Sequence, residues 1–374
     1  MTNLFEFFEV LFWATTITEA LFWGIAFWGL WHRRASGQIR PVAELAVSVI
    51  IAARNEAPQL HKNLAHWLQQ EGITYELIVV DHASDDETPA LLGAAVAAHP
   101  ETLRVQRVAR EHETLSGKKI PLQAGIAAAR HPMLVFTDAD CCPASKHWLA
   151  CMAAPFAKPH IDFVLGISPY RPLTGFLGWI IGAETLHTAL LYTSAAHVGA
   201  PFMGVGRNMA VRRRLFDRHG GYGPHQNLPS GDDDLLVNRL ARARNTEVVT
   251  MPNSQTSSPP PSEWRRWWRQ KVRHTSVATR YRPFSLALIG MLWLSGFGWW
   301  MGGLGSLLTQ NRPWVALGFG LMVLAKGLLY VHVAKQWHYP GYGPAQFLAL
   351  LLHPVFIQPL LGILSLTKPR FTWR

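Results

Sequence analysis

The sequence predicts an α/β domain, built on a Rossmann-like sheet with flanking helices, between apolar segments able to span a membrane. Apolar residues are concentrated near the two ends of the 374-residue chain, whereas the middle has the composition of a water-soluble protein. Short β-branched runs alternate with helical patterns through that middle part. Acidic turns follow three of the predicted strands, which indicates a binding site at one edge of the sheet.

The first apolar segment covers residues 7–31, which is long enough to cross a bilayer. It lacks the short apolar core and the small-residue cleavage site of a signal peptide. Glu9 lies near its start and can reach the headgroups, whereas Glu19 is expected to face other helices, because a carboxylate is costly in lipid. We therefore predict an N-terminal anchor over residues 1–32.

Three further apolar segments lie near the C-terminus, each about as long as a membrane-spanning helix requires. They are residues 284–308, 314–334 and 345–366. Pro354 and Pro359 leave a re-entrant hairpin open for the last of them. The C-terminal membrane region, residues 283–374, is therefore expected to hold two or three helices.

Basic residues flank the apolar segments on the side of the middle domain. Arg33, Arg34 and Arg40 follow the first segment, and residues 265–282 before the second are rich in arginine. Because cytosolic flanks carry an excess of Lys and Arg, we expect an integral membrane protein, of a bacterial inner membrane, with a cytosolic middle domain. Four complete crossings would place the basic tail at residues 368–374 on the other side, which leaves the number of crossings at three or four.

The net charge of +11 also suits a nucleic-acid-binding protein. The basic residues, however, cluster beside apolar segments and tryptophans, which favours anionic lipid headgroups. We therefore predict a lipid bilayer as a partner and no nucleic acid. Cys141, Cys142 and Cys151 are too few for a disulfide framework and lack the spacing of a zinc site.

The middle of the chain alternates strands and helices, the order that predicts a parallel sheet. The strands are expected at residues 47–51, 77–80, 103–108 and 133–137, and the helices at 58–70, 88–98 and 119–129. Ligands of open α/β sheets bind at the carboxyl ends of the strands. The polar turns that follow the first, second and fourth strands are therefore the candidate site.

Asp138 and Asp140 follow the fourth strand at i and i+2, so that their oxygens can approach one cation. Magnesium and manganese take hard oxygen ligands from one or two carboxylates and complete their shell with substrate phosphate. An isolated pair with this spacing is more often a solvated turn. The pair predicts a metal site only in combination with further motifs.

A second acidic cluster, Asp232, Asp233 and Asp234, runs directly into an apolar helical pattern. Its first residues could serve as helix caps. Three adjacent carboxylates are more than capping requires, and their mutual repulsion would raise at least one pKa. The cluster therefore predicts a general base that removes a proton from an acceptor hydroxyl.

Residues 264–274 combine tryptophans and arginines in the pattern of an amphipathic helix at the membrane interface. Within this stretch, Gln270 and Arg273 are at i and i+3 and can face one diphosphate. We expect an interfacial helix over residues 263–282.

These motifs, in this order, resemble the family-2 glycosyltransferases, particularly the membrane-bound branch that includes cellulose, chitin and hyaluronan synthases and ceramide glucosyltransferases. The resemblance covers residues 47–274. It implies a GT-A fold, a mixed sheet flanked by helices, for a domain at residues 41–262.

The resemblance assigns donor-binding roles to polar residues along the middle domain. Asn55 and Glu56 match the family's nucleoside-binding Asn-Glu pair, and Asp81 matches the carboxylate that contacts the base. Lys118 belongs to a Gly-Lys pair beside the donor, and Arg207 borders the sugar pocket.

The acidic residues match the family's reaction centre. Asp138 and Asp140 correspond to the metal-binding DxD motif, and Asp233, preceded by Asp232, corresponds to the general base. The implied reaction inverts the sugar transferred from a nucleotide-diphosphate donor, with a divalent cation, Mg²⁺ or Mn²⁺. UDP is the expected nucleotide.

Three departures from the family pattern are visible. Gln270 and Arg273 match QxxRW, but His274 occupies the Trp position, which leaves the acceptor open. His82 and Ala83 replace the usual Asp-Gly after the second strand.

A membrane lipid with a free hydroxyl is the favoured acceptor, because few anchors and an interfacial Trp-Arg helix accompany the domain. The alternatives are a processive polysaccharide synthase acting on a growing glycan, and a scaffold that keeps the fold without turnover. The crowded carboxylates argue against the scaffold, which has no need of like charges close together.

Overall fold

The computed structural model of the protein describes residues 2–32, 44–109, 117–310 and 312–365. Its described residues form two compact units. The sheet unit comprises those within 35–171 and 199–260, and the helical unit comprises those within 1–34, 172–198 and 261–368. Arg33, Arg34, Arg40 and the tail at 368–374, on which the expected orientation depends, lie outside the described residues, as does the expected boundary at residue 41.

The sheet unit contains a mixed sheet of seven strands. The strands are β1 (Ala46–Ala53), β2 (Thr74–His82), β3 (Leu103–Val108), β4 (Met133–Asp138), β6 (Phe163–Gly166), β7 (Met209–Arg212) and β8 (Thr246–Val249), with β5 (Cys142–Pro143) and β9 (Thr256–Ser257) forming a separate antiparallel pair. The order in the large sheet is β3-β2-β1-β4-β7-β6-β8. Strand β7 is antiparallel to both of its neighbours, and the other pairs are parallel. The predicted mixed α/β fold is confirmed.

Six α-helices belong to the sheet unit in its described part. They are α2 (Ala57–Leu68), α3 (Thr88–Ala98), α4 (Lys119–Ala128), α5 (Trp148–Ala153), α7 (Arg213–Arg218) and α8 (Asp234–Leu240). After its first residue β1 is buried throughout, because a parallel strand covered by helices on both faces has no polar side. Helix α4 comes so close to β1 that a Cβ on Gly125 would lie 2.6 Å from Ile50 Cγ2.

The strand register brings the predicted polar turns to one edge of the sheet. Ala53, the last residue of β1, pairs with Asp81 of β2, and Ala52 pairs with Asp138 of β4. The carboxyl ends of the two neighbouring strands therefore flank the carboxyl end of β1. This is the edge at which open α/β sheets bind their ligands.

The helical unit contains, among its described residues, six helices, four of which are long and apolar enough to cross a membrane. They are α1 (Thr2–His32), α6 (Gly175–His197), α9 (Trp264–Thr275), α10 (Pro283–Gln310), α11 (Pro313–Gln336) and α12 (Pro344–Ser365), and the candidate spans lie in α1, α10, α11 and α12. Helix α12 continues through Pro354 and Pro359 as one helix. The described C-terminal region thus has three helices and no hairpin, because a proline removes one helical hydrogen bond without necessarily ending a helix packed among others.

Glu9 and Glu19 of α1 face other helices, as predicted for Glu19. Glu19 is 3% exposed, pairs with Lys326 Nζ at 2.6 Å and accepts hydrogen bonds from Trp23 and Ser295. Glu9 accepts a hydrogen bond of 2.7 Å from Trp314 Nε1. A carboxylate bonded in this way avoids the cost of facing lipid.

Helix α6 is a feature that the sequence analysis did not separate. It lies between β6 and β7 in the chain, inside the predicted 41–262 domain, yet it belongs to the helical unit, where it packs against α1 and α12. Its Glu184 pairs with Lys271 of α9 at 2.9 Å, and its His187 contacts the Tyr330 hydroxyl of α11. The predicted domain and the compact units therefore differ by this insertion.

Candidate active site

The loop after β1 is tied to the loop after β2. Asn55 adopts φ +55°, its amide donates to Ser84 Oγ at 3.0 Å, and its side-chain oxygen accepts from the Asp85 amide at 2.9 Å. The amide of Glu56 donates to Thr88 Oγ1 at 3.0 Å. Asn tolerates the left-handed conformation better than most residues, so the sequence allows this turn without glycine. The two loops present one continuous polar edge.

Asp81 is buried at the end of β2, with both carboxylate oxygens bonded. Oδ1 accepts from the Ser84 amide at 3.1 Å, and Oδ2 lies 3.1 Å from Arg107 Nε. Asp81 is 1% exposed, whereas the Arg107 side chain is 68% exposed. Arg107 is not among the predicted site residues, because it lies on β3 in a run without a motif. The pair places a carboxylate, which accepts hydrogen bonds, beside a guanidinium, which donates them, at the edge of the sheet.

Asp138 forms an ion pair with Lys118, whose Nζ lies 2.9 Å from Oδ1. Burial lowers the pKa of Lys118, but the charges of Asp138, Asp232 and Asp140 outweigh it and raise that pKa above its ordinary value. Lys118 is therefore a permanent positive charge between the two acidic clusters. This places the predicted donor-side lysine directly beside the DxD pair.

Asp140 and Glu56 are neighbouring acidic groups whose pKa values rise. Burial and then the charge of Asp138 raise the pKa of Asp140, while Lys118 and Arg207 oppose them. Burial and then Asp140 raise the pKa of Glu56 to about 7. Three carboxylates crowded in this way concentrate negative charge that a cation would relieve.

Arg207 lies in a tight turn before β7 and is held through both its backbone carbonyl and its guanidinium. Its carbonyl accepts from Thr137 Oγ1 at 3.0 Å and Thr256 Oγ1 at 2.9 Å. Its guanidinium donates to Ser258 Oγ at 2.7 Å and lies 4.2 Å from the centre of the Tyr170 ring. Burial lowers its pKa, but Tyr170 and Cys141, followed by Asp140 and Asp138, raise it above the ordinary value. The turn therefore directs a fixed positive charge toward the DxD pair.

Asp233 caps α8 and is held by two backbone amides. The Gly206 amide donates to Oδ2 at 2.7 Å, and the Asp234 amide donates to Oδ1 at 2.8 Å. Burial, and then the charge of Asp232, raise the pKa of Asp233 to about 6 despite these donors. Its side chain remains partly exposed. A carboxylate with this pKa can accept a proton near neutral pH.

Residues of both acidic clusters line one cleft: Asp138 from the first, and Asp232 and Asp233 from the second. Its wall combines polar and apolar residues of the sheet unit: Leu122, Phe136, Thr137, Asp138, Gly206, Met209, Tyr222, Asp232 and Asp233. The cleft is narrow and opens to solvent. Asp138 and Asp233 are 95 positions apart in the sequence, by subtraction of their numbers. The fold alone brings them to the same cavity.

The Asp138–Asp140 pair fits a divalent cation. In the described part of the chain, no group of three or more His, Cys, Asp or Glu side chains forms a complete metal site. Two carboxylates suffice for Mg²⁺, which commonly binds one or two of them and fills its shell with water and substrate phosphate. The donor set therefore suits a cation shared with a phosphate-bearing substrate.

Gln270 and Arg273 lie on α9, in the helical unit, at the predicted i and i+3 positions. Residues at i and i+3 of a helix are neighbours on its surface. The sheet unit holds the other predicted residues: Asn55, Glu56, Asp81, Lys118, Asp138, Asp140, Arg207, Asp232 and Asp233. A part for Gln270 and Arg273 in the reaction stays a prediction.

Two curated relatives share part of the sequence. The succinoglycan biosynthesis protein ExoO of Rhizobium meliloti (strain 1021) is 38% identical over 94 residues, 25% of this chain and 25% of that protein. The 4,4'-diaponeurosporenoate glycosyltransferase of Staphylococcus haemolyticus (strain JCSC1435) is 31% identical over 128 residues, 34% of this chain and 32% of that protein. The matches therefore span about a third or less of either relative.

Among solved structures, the fold resembles the mannosyltransferase PcManGT from Pyrobaculum calidifontis, which was determined in complex with GDP-Man and Mn²⁺. The TM-score is 0.58 at 20% sequence identity, over 93% of this chain and 99% of that one. The sequence model described as "Glycosyltransferase like family 2" matches residues 44–276, which is more than half of the chain. On this match, and with the GT-A-like sheet that carries the two acidic clusters, the chain belongs to glycosyltransferase family 2.

Proposed function

We propose that the protein transfers a sugar from a nucleoside-diphosphate sugar to a hydroxyl group of a membrane acceptor, with inversion at the anomeric carbon. One observation carries the proposal: Asp138, of the DxD pair, and Asp233, with its raised pKa, line the same cleft. A donor diphosphate and an acceptor hydroxyl must meet in one place for such a reaction. A cleft with a cation-binding side and a proton-accepting side supports this chemistry.

In the proposed reaction the acceptor hydroxyl gives its proton to Asp233 while its oxygen forms a bond to the anomeric carbon. The bond from that carbon to the diphosphate oxygen breaks, and the nucleoside diphosphate leaves. Lys118 and Arg207 stabilise the negative charge on the departing diphosphate. A divalent cation held by Asp138 and Asp140 would supply Lewis-acid stabilisation of the same charge.

The nucleoside of the donor is proposed to bind at the edge formed by Asn55, Glu56 and Asp81. The hydrogen bonds among these loops keep this edge in a fixed shape, which lowers the entropy lost on binding. UDP is the nucleotide that the resemblance implies, whereas the solved mannosyltransferase was bound to GDP-Man. Both nucleotides are therefore compared in the experiment below.

Gln270 and Arg273 are proposed to act in the same reaction, as the QxxRW-like motif implies. Arg273→Met should reduce transfer, whereas Arg269→Met, an exposed arginine of the same helix, should not. Equal activity of the two variants would remove Arg273 from the mechanism.

A lipid is the proposed acceptor. The helical unit contains four helices able to cross a membrane, and one curated relative is named for transfer to diaponeurosporenoate. The other relative is named for succinoglycan biosynthesis, which keeps a growing glycan as the second candidate. The sizes of the products separate the two: one added sugar supports a lipid acceptor, and a ladder of lengths supports a polysaccharide.

The sheet unit is proposed to face the cytosol of a bacterial cell, because arginines follow the first apolar segment. A membrane-impermeant thiol reagent tests this with Arg244→Cys, an exposed position, in a background that lacks the three native cysteines. Labelling in inverted membrane vesicles and protection in intact spheroplasts is the expected result. The reverse pattern would place the unit outside.

The central experiment uses the purified full chain in nanodiscs with bacterial lipid. UDP- and GDP-sugars with a radiolabelled sugar are supplied with Mn²⁺ or Mg²⁺, and labelled lipid and released nucleoside diphosphate are measured. The double variant Asp138→Asn/Asp140→Asn should lose transfer, and Asp217→Asn, an exposed carboxylate paired with Arg213, should retain it. Wild-type protein that neither transfers nor hydrolyses any sugar nucleotide would support the scaffold alternative.

A further inference from the structure

Lys119 is a lysine buried in the sheet unit beside the proposed base. Its side chain is 0% exposed, and Nζ donates to Leu228 O at 2.7 Å and to Ser230 O at 2.6 Å. A buried ammonium is stable only when its donors are bonded, so these two carbonyls are strongly attached to it. Both lie just before Asp232 and Asp233 in the chain.

The stretch from Gly220 to Asp233 is called the base segment. It meets the start of α4 at two further points. Gln226 Nε2 donates to Gln123 Oε1 at 2.7 Å. Gly117, with φ +57°, lies so close to the segment that a Cβ there would be 2.4 Å from Pro229 O. Residues of the first turns of α4, and Gly117 just before it, therefore contact this segment.

The two ends of the base segment have contacts of their own: the Arg239 guanidinium donates to Gly221 O, and the Gly206 amide donates to Asp233 Oδ2. Four glycines with positive φ occur in it: Gly220, Gly221, Gly223 and Gly231. All residues from 223 to 229 are at least partly exposed. A segment with few buried apolar contacts opens easily unless polar bonds restrain it. The bonds of Lys119 consequently restrain the part of the segment just before the carboxylates, at Leu228 and Ser230.

The surroundings compensate the charge of Lys119 only in part, so that the pKa of Lys119 stays below its ordinary value. Burial lowers its pKa, whereas the carboxylates of Asp232, Asp233 and Asp234 oppose that effect. The Tyr222 ring, which lines the cleft, lies 5.9 Å from Nζ. A neutral side chain of similar length would keep the packing but lose both the bonds and the charge.

We propose that Lys119 is the positioning residue of the base segment: by holding the Leu228 and Ser230 carbonyls it fixes Asp233 where its carboxylate can reach an acceptor hydroxyl. Its neighbour Lys118 pairs with Asp138. The start of α4 thus connects both sides of the cleft, the donor side through Lys118 and the base side through Lys119. This inference rests on the proposed function, because it assigns a purpose to the position of Asp233.

The test compares Lys119→Met, Lys119→Arg and Lys146→Met in the full chain in nanodiscs. Lys146 is the matched control, because its partner Glu71 is exposed and the pair lies outside the residues that line the cleft. Two measurements are made on each variant: hydrogen exchange of the backbone amides, and kcat and KM for the sugar nucleotide. Hydrogen exchange needs no turnover and therefore reports on the segment independently of the reaction.

In Lys119→Met we expect amides of residues 220–235 to exchange about tenfold faster, with the β1–β4 amides unchanged. We expect kcat to fall about 100-fold, because a displacement of about 1 Å costs that much, while KM for the donor stays within about twofold. Lys119→Arg, which can still donate to the carbonyls, should recover part of kcat and of the protection. A lysine with a merely stabilising role would instead speed exchange throughout the sheet unit and leave kcat of the folded fraction intact.

Two outcomes overturn the inference, and they differ. If the wild type transfers sugar and Lys119→Met matches it in both local exchange and kcat, Lys119 has no positioning role while the proposed function stands. If the wild type transfers no sugar under any donor and cation, the proposed function fails, and with it the purpose assigned to Lys119. If Lys119→Met does not fold, Lys119→Arg provides the test. A Lys119→Arg variant whose base segment exchanges at the wild-type rate but whose kcat is reduced would overturn the inference, because kcat would then not depend on how the segment is held.

Discussion

The Gly206 amide donates a hydrogen bond of 2.7 Å to Asp233 Oδ2, so a turn before β7 holds the carboxylate that caps α8. A Cβ on Gly206 would lie 3.3 Å from Asp233 Cβ, closer than most such contacts. The turn and the carboxylate are therefore fitted to each other. Their contact keeps Asp233 at the cleft that also contains Asp138.

Asp233→Asn should reduce the transfer rate about 10²- to 10⁴-fold, because an amide cannot accept the proton of the acceptor hydroxyl. Binding of the nucleoside diphosphate, measured by calorimetry, should change little, since the donor-side residues are untouched. Asp162→Asn, a carboxylate paired with Arg214 and absent from the cleft lining, is the control and should retain full activity. An Asp233→Asn enzyme with most of the wild-type rate would exclude Asp233 as the base.

The pH dependence of transfer should show an acidic limb near pH 6. The pKa of Asp233 is raised to about 6, and the base acts only as the carboxylate, so kcat should rise as the pH increases through that value. Asp232→Asn removes a charge that raises this pKa, so the limb should move to lower pH. Initial rates of the wild type and of Asp232→Asn, measured between pH 5 and pH 8, test this prediction. A limb that stays in place or moves to higher pH in Asp232→Asn contradicts the assignment.

Lys118→Met should raise KM for the sugar nucleotide about tenfold, the equivalent of about 1.4 kcal/mol for a lost charge-assisted hydrogen bond. The ion pair with Asp138, at 2.9 Å, puts this ammonium beside the proposed diphosphate site. Lys158→Met is the control, because its partner Glu247 lies away from the cleft lining. Equal KM values in the two variants would show that Lys118 does not contact the donor.

Ala83→Gly should stabilise the protein by about 1 kcal/mol. Ala83 adopts φ +50°, a conformation that costs an L residue about 1–2 kcal/mol and glycine very little. The gain is partly offset by the larger freedom of glycine in the unfolded chain. Thermal unfolding followed by tryptophan fluorescence should show a higher midpoint. The matched control is Ala94→Gly on an exposed position of α3, which should lower the midpoint, and a change of the same sign in both would refute the argument.

The Glu19–Lys326 pair should show strong coupling in the helical unit. Glu19→Gln or Lys326→Met alone leaves one buried charge without its partner, which typically costs about 3–5 kcal/mol. The double variant should recover much of that loss. The coupling is obtained from the unfolding midpoints, in detergent, of the wild type, the two single variants and the double variant. Lys335→Met, at an exposed lysine of α11, is the control. Additive losses in the double variant would show that the pair is not coupled.

Much of the sheet and its edge could be predicted from the sequence. The strand at residues 103–108 and the helix at 88–98 have the predicted bounds, because β-branched runs and helical periodicity are local properties. The polar turns after β1, β2 and β4 were placed at one edge by the rule for parallel strands. The register of Ala53 with Asp81 and of Ala52 with Asp138 bears this out.

Some residues of the site could not be predicted from the sequence, because their partners are distant in the chain. Arg107, Tyr170 and Ser258 belong to no motif, yet they contact Asp81 or Arg207. Lys119 is adjacent to Lys118 in the chain, but only the structure separates the partners of the two ammonium groups. Helix α6 was missed because Glu184 and His187 interrupt an otherwise apolar helix.

By itself, the sequence determined the family, the alternation of strands and helices, the apolar segments and the residue types of the two acidic clusters. These follow from periodicity, composition and ordered motifs, which are written along the chain. Only the tertiary structure decided that Asp138 and Asp233 share a cleft and that Gly206 holds the second of them. The reason is physical: burial, the largest cause of the raised pKa of Asp233, arises only when the chain has folded, whereas the charge of Asp232, the second cause, is already adjacent in the sequence.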